Sequence, residues 1–213
     1  MKLVNVLLGQ CGRLLRISPP GGGAIYGLNL AKAFEERYGF LQGPRTLPEF
    51  DASKGITFLH GYFEQRVVID RIQIYDNGIL ADAKLDTDEV DAFLDDVVQW
   101  IQERAKLQVI ATPDSAKIYT SQLEVQTDKK ISALVPTLVP IGRAIADILR
   151  GYGHITPDWE PAGLSFGSSG AGDAASFKFE RREGANARDV YFASARMRTK
   201  DHLHVLEEID ALL

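Results

Sequence analysis

Apolar residues along this chain recur with two alternating periods, and the switches between them predict its elements. Ile56–Phe63 and Arg66–Tyr75 are rich in β-branched and aromatic residues over strand-length windows, and Ile79, Ala81, Ala83 and Leu85 share one face of a third strand. Asp76-Asn77-Gly78, lying between the last two, has the sequence of a type I′ hairpin turn, whose central residues need positive φ. Val90, Phe93, Leu94, Val97 and Ile101 then recur at helical spacing. Thr87 is the expected N-cap of that helix, and acidic residues crowd its first turn, where the helix dipole favours them. Upstream, Arg13–Ser18 predicts a short strand, and Ile25, Leu28, Ala31, Phe34 and Tyr38 predict a helix that Gly39 stops. Gly43–Lys54, with Pro44 and Pro48, reads as a loop.

The same order returns in the second half. Lys117–Gln126 alternates as a strand. Ile131–Leu149 is helical in period, but Pro136 and Pro140 divide it into a turn and a main helix from about Pro140 to Arg150. Leu164–Gly167, Ser176–Arg182 and Val190–Met197 follow as strands, and Thr199 is the expected cap of a last helix. Residues 79–101 align without a gap on 191–213 at an offset of 112, pairing Ala81 with Ala193, Thr87 with Thr199 and Leu94 with Leu206. Tyr38-Gly39 matches Tyr152-Gly153 at an offset of 114, and Gly55–Phe58 matches Gly163–Phe166 at 108. The offset drifts where connecting loops change length, as surface connections do.

The expected fold is therefore α+β: two copies of a strand-helix-three strands-helix unit, 1–106 and 107–213, fused into one domain, with Gln102–Ala116 as the linker. The sheet is expected to be mainly antiparallel, with helices on one side and a pseudo-two-fold relating the copies. At the level of element order and duplication this resembles the TATA-binding-protein fold. The paired phenylalanine wedges and basic saddle of such DNA benders are not evident, and no specific motif carries the resemblance further.

Composition narrows the classes. The chain has 213 residues, 45% of them hydrophobic and 25% charged, as in ordinary globular proteins. Cys11 is the only cysteine, which rules out an internal disulfide and favours a reducing, cytoplasmic setting. Met1–Cys11 lacks the basic start of a signal peptide, and no run is long enough to span a bilayer. A net charge of −5 disfavours nonspecific binding to nucleic acid or anionic lipid. The charge is segregated, however. Asp86–Glu103 holds seven acidic residues and no Lys or Arg, whereas Lys178–Lys200 holds seven basic residues against three acidic. Two solvated faces account for this; complementary docking between copies or partners is the sharper reading.

Candidate chemistry is sparse. Gly163-Leu164-Ser165-Phe166-Gly167 has the form of a nucleophile elbow, with Asp173 or Asp189 and then His202 or His204 downstream. An elbow needs a strand-to-helix turn, and here a Gly/Ser-rich hairpin loop follows instead. Gly21-Gly22-Gly23 could present amides to a phosphate but lacks the Lys-Ser/Thr of a Walker loop and the dinucleotide-binding glycine spacing. His202 and His204, two apart on a helix, point to different faces and do not share a metal easily; His202 aligns with the core-facing Val90. Asp95-Asp96 and Glu207-Glu208 fall on solvent faces, and Trp100, Trp159, Phe50 and Tyr62 suit packing better than base stacking.

These observations favour a non-catalytic protein-protein interaction or assembly subunit, with no cofactor and no metal. Its expected interface includes Lys178, Arg182, Arg196 and Arg198. A small serine hydrolase using Ser165 and a nucleic-acid binder using the basic 178–200 sheet face are the alternatives from other classes.

Overall fold

A computed structural model describes residues 1–18, 27–104, 106–110, 116–153, 159–167, 176–182 and 189–213, with 27–30 as backbone only. The Gly21–Gly23 loop, Ile25, His154 and Asp173 lie outside the described residues. The described elements are strands β1 (Lys2–Leu14) and β2 (Arg16–Ser18), helix α1 (Gly27–Tyr38), β3 (Ile56–Phe63), β4 (Val67–Tyr75), β5 (Gly78–Ala83), α2 (Thr87–Glu103), β6 (Gln108–Ile110), β7 (Lys117–Gln126), α3 (Val139–Gly151), β8 (Gly163–Gly167), β9 (Ser176–Arg181), β10 (Val190–Ala195) and α4 (Thr199–Leu212). Eight strands form one sheet in the order β3-β4-β5-β1-β7-β10-β9-β8, and β2 and β6 form a two-stranded antiparallel sheet. The protein is α+β with a mostly antiparallel sheet. Its chain divides into two compact units, one of residues 6–121 and 196–199, the other of 1–5, 122–195 and 200–213.

In the unit containing 6–121, one face of the sheet is apolar in register. Phe58 lies opposite Ile72, Ile72 opposite Ala81, and Ala81 opposite Cys11, all buried. The expected α2 stripe of Val90, Phe93, Leu94, Val97 and Ile101 is buried in the same core. Helix α1 adds Ala31, Phe34 and Tyr38, and stops at Gly39 with φ +61. Phe34 is the hub of the aromatic packing, with ring centroids 4.8 Å from Tyr38, 4.9 Å from Phe58 and 5.5 Å from Phe40 and from Trp100.

The unit containing 122–195 buries Leu123, Val125, Phe179, Tyr191, Ala193 and Leu206, among others, with the Phe179 and Tyr191 rings stacked at 4.7 Å. The helical period ahead of α3 breaks as expected before the main helix, but into two short 3₁₀ turns, Ile131–Ala133 and Pro136–Leu138, where the sequence predicts a single turn. Pro140 sits in the first turn of α3, where its missing N–H costs no intrahelical bond.

Three local expectations are corrected. The β4–β5 hairpin forms, closing at Tyr75↔Gly78, but Asp76 and Asn77 are not at positive φ, so its turn is not type I′. The turn backbone is recruited elsewhere: Asp76 N–H donates to the Ala52 carbonyl, and Leu15 N–H donates to that of Asn77. Left-handed residues instead turn β3 into β4, where Glu64 and Gln65 have φ +50 and +59. The linker 102–116 contains β6, which pairs with β2. Finally, the apolar start of the chain is the first part of β1, well ahead of the strand expected from Arg13.

Candidate functional site

Two polar constellations and one apolar surface stand out, each within a single unit. The first centres on Asp91, in the second turn of α2 and buried. Arg13 of β1, itself buried, ion-pairs with Asp91 and reaches Asp95 Oδ1 at 2.8 Å. Tyr119 and Arg198 lie 3.2 Å from Asp91 Oδ2, and Lys117 Nζ lies 3.4 Å from it. Arg198 also donates to Tyr119 Oη at 2.6 Å and to Asp88 at 2.7 Å, with its guanidinium 4.5 Å from the Tyr119 ring centroid. Burial works against charge on Asp91, but hydrogen bonding and attraction from Arg13, helped by Lys117, hold its carboxyl below the usual range. Three cations face three carboxylates, so the cluster is close to neutral and its charges are spent on one another.

Beside it, Thr87 and Thr199 exchange hydrogen bonds. Thr199 N–H donates to Thr87 Oγ1 at 2.8 Å, and Thr87 N–H donates to Thr199 Oγ1 at 3.1 Å, across 112 residues and fully buried. Each hydroxyl thus serves the opposite helix start. The expected capping of α2 by Thr87 is corrected: Asp86 is its N-cap, accepting from Asp88 N–H at 2.8 Å.

The second constellation lines a cavity of about 280 Å³ in the other unit. Asp210 organises it, receiving Thr127 Oγ1 at 3.0 Å and pairing with the Met1 amino group at 2.8 Å, while Lys129 Nζ donates to the Asp210 carbonyl at 2.6 Å. These contacts satisfy the groups without leaving a nucleophile poised against a base. Among the described residues no three His, Cys, Asp or Glu side chains are grouped to hold a metal ion.

Ser165 stands in the middle of β8, not at a strand-to-helix turn. It pairs with Lys178, whereas Leu164 and Phe166 pair with Phe179 and Phe177. Phe177 packs edge-on against the His202 ring at 5.6 Å, so alternation puts Ser165 and His202 on opposite sheet faces. His202 is fully buried, as is its sequence counterpart Val90, and burial lowers its pKa to about 4. His204 is exposed. His202 is therefore not placed to act as a base for Ser165.

The four basic residues proposed for an interface fall in different settings. Lys178 is exposed in β9. Arg182 follows that strand and ion-pairs with Glu124. Arg196 is exposed in the turn before α4, whereas Arg198 belongs to the Asp91 cluster. Complementary charge from the acidic and basic segments thus meets inside the chain at Arg198, and Asp95 is an ion-pair partner of Arg13 instead of a purely solvated carboxylate.

The apolar surface lies on α3. Gly142 and Ala146 face inward, and Gly142 is tight against the Trp159 carbonyl, where an added Cβ would sit 2.1 Å from oxygen. A second stripe, Leu138, Ile141, Ile145, Ile148 and Tyr152, has the 3-4 spacing of a packing seam, yet Ile141 is 54%, Ile148 56% and Tyr152 72% exposed. Phe166 on β8 is 59% exposed. At the offset of 114, the α1 residues matching Ile145, Ile148 and Tyr152 are Ala31, Phe34 and Tyr38, all buried in their own unit. The period was legible in the sequence; its exposure was not. Comparison with protein-family models, curated proteins and solved structures finds no match to this chain.

Proposed function

We propose that this protein is a non-catalytic assembly subunit, acting by protein contact in a homo- or hetero-oligomeric complex. The exposed α3 stripe carries the reading. Five apolar positions at packing spacing, three of them more than half exposed, form the kind of patch that marks a contact surface. The polar clusters support it indirectly, because the Asp91 cluster pairs its charges internally and neither cluster sets a nucleophile beside a base. A buried lone Cys11, its thiol pushed up to about 12 mainly by burial, suits a reducing compartment such as the cytoplasm. Among the described residues no helix is long and apolar enough to cross a membrane.

The reading includes an origin by duplication of the halves 1–106 and 107–213 around a pseudo-two-fold. The repeated element order, the inward-mirrored strand order and the reciprocal bonds of Thr87 and Thr199 at the sequence offset of 112 support it.

The size of the native complex tests the assignment. The wild-type chain should migrate in native extract well above its 23.5 kDa mass, and Ile148→Glu, at an exposed position, should lower that mass with the fold intact. A wild-type chain of monomer mass in extract would end the assembly reading.

A further inference from the structure

The two edge strands of the eight-stranded sheet, β3 and β8, are treated differently. The outer edge of β3 is protected. Leu59 N–H donates to the Gln42 carbonyl at 2.8 Å, Gln42 N–H donates back at 3.3 Å, and Leu41 N–H takes the His60 carbonyl. His60 has φ +57 there and drops out of the pairing between Leu59↔Arg71 and Gly61↔Ile69. Among the described residues, β8 has no such cover: its strand partner is β9 and no described segment pairs with its other side. An edge that no described segment covers, and that has no charge, proline or bulge within it, invites another strand.

Which backbone groups point outward follows from one bond. Arg181 N–H donates to the Ala162 carbonyl at 2.7 Å, so these opposite residues form a hydrogen-bonded pair. In an antiparallel ladder such pairs recur every second residue, so Leu164 and Phe166 bond to β9. The N–H and C=O groups of Gly163, Ser165 and Gly167 therefore face away from it.

We propose that this edge pairs with the same edge of a second copy of the chain, antiparallel and centred on Ser165; the inference rests on the assembly reading and names its partner. The strand is a pattern palindrome, Gly-Leu-Ser-Phe-Gly. Antiparallel pairing about Ser165 sets Gly163 against Gly167 of the other copy, and Ser165 against its own counterpart. The outward-facing residues become the hydrogen-bonded pairs, which is the register the ladder requires. Leu164 then faces Phe166 of the second copy in the closer, non-hydrogen-bonded pairs, twice by symmetry. This covers Phe166, which is 59% exposed and packs edge-on to Phe177 at 5.9 Å. No like charges meet within the paired strands, and glycine at both ends leaves room for the approach. A two-fold contact must be self-complementary in this way.

Cross-linking and mass measurement on the purified chain test it. At hydrogen-bonded antiparallel positions Cα atoms lie about 5.5 Å apart, within disulfide range. Ser165→Cys should therefore give a covalent dimer under mild oxidation, while Cys11, being buried, leaves the wild type uncross-linked. Phe166→Lys should weaken the dimer at least tenfold by mass, with an unchanged far-ultraviolet circular dichroism spectrum. If the purified chain is a dimer that Phe166→Lys leaves intact and Ser165→Cys fails to cross-link, the β8 pairing is wrong and assembly through α3 stands. A purified monomer whose larger complex in extract still depends on Ile148 likewise removes the second copy but keeps the assembly reading. Monomer mass in both settings overturns both.

Discussion

His202 and Asp91 mark opposite ways of burying an ionisable side chain. Asp91 remains charged because Arg13, Lys117 and Arg198 surround it. His202, against Phe177 and within an apolar core, is kept neutral by the cost of desolvating its charged form. Its folded pKa of about 4 lies below the ordinary 6.5, so the unfolded chain binds more protons between those values. Stability is then complete above about pH 6.5 and falls as pH drops toward 4, by about 3 kcal/mol over the window. Thermal melts across that range should show the loss, and His202→Leu should flatten it. An identical acid slope in the variant would assign the effect to other groups. Arg198, expected at an external interface, is already engaged by Asp88, Asp91 and Tyr119, so reversing its charge would disturb the fold and could not serve as a clean interface probe.

At the scale of elements, the starts of α2 and α4 depend on each other. The sequence marks Thr87 and Thr199 as helix-start residues, which is what Ser, Thr, Asp and Asn signal locally. It does not say whose N–H each hydroxyl meets, because the partner is 112 residues away. A double-mutant cycle distinguishes reciprocal from independent roles. Thr87→Ala and Thr199→Ala should each cost about 1–2 kcal/mol, since each leaves a buried amide without its acceptor. Together they should cost measurably less or more than the sum, with a coupling of about 0.5 kcal/mol or greater. Strict additivity in denaturant titrations would mean that the two starts are energetically separate. Helix α3 shows the same limit of local reading: its periodicity specifies an apolar stripe but not what lies over it.

Across the described residues, apolar burial is concentrated in the unit containing 6–121, where one aromatic cluster joins α1, α2 and β3 around Phe34. Phe34→Ala should therefore destabilise by about 3–5 kcal/mol, leaving a cavity ringed by large side chains that cannot collapse easily. Chemical denaturation monitored by Trp100 fluorescence would measure this, and a loss under 1 kcal/mol would refute the hub role. The sheet order also places its two edge strands at β3 and β8. Covering β3 with Leu41 and Gln42 uses the long first-half loop, whereas the matching connection of the second half is shorter. Among the described residues no corresponding segment pairs with the outer side of β8.

Period and punctuation in the sequence determined the elements. Ile56–Phe63 and Lys117–Gln126 are strands at the boundaries their composition indicates, Gly39 stops α1, and Pro136 and Pro140 divide the segment ahead of α3. These outcomes depend on each residue's own φ preferences and on neighbours a few positions away. The tertiary structure decided the rest. It set the Asp76-Asn77 turn by binding its backbone to Ala52 and Leu15, recruited β6 from an apparent linker to pair with β2, and turned two threonine hydroxyls toward each other's helices. It also left Ile148 and Tyr152 in water while burying Phe34 and Tyr38 at matching positions. A hydrophobic pattern states which face avoids solvent, but burial is a property of two surfaces, and the second is supplied by distant chain.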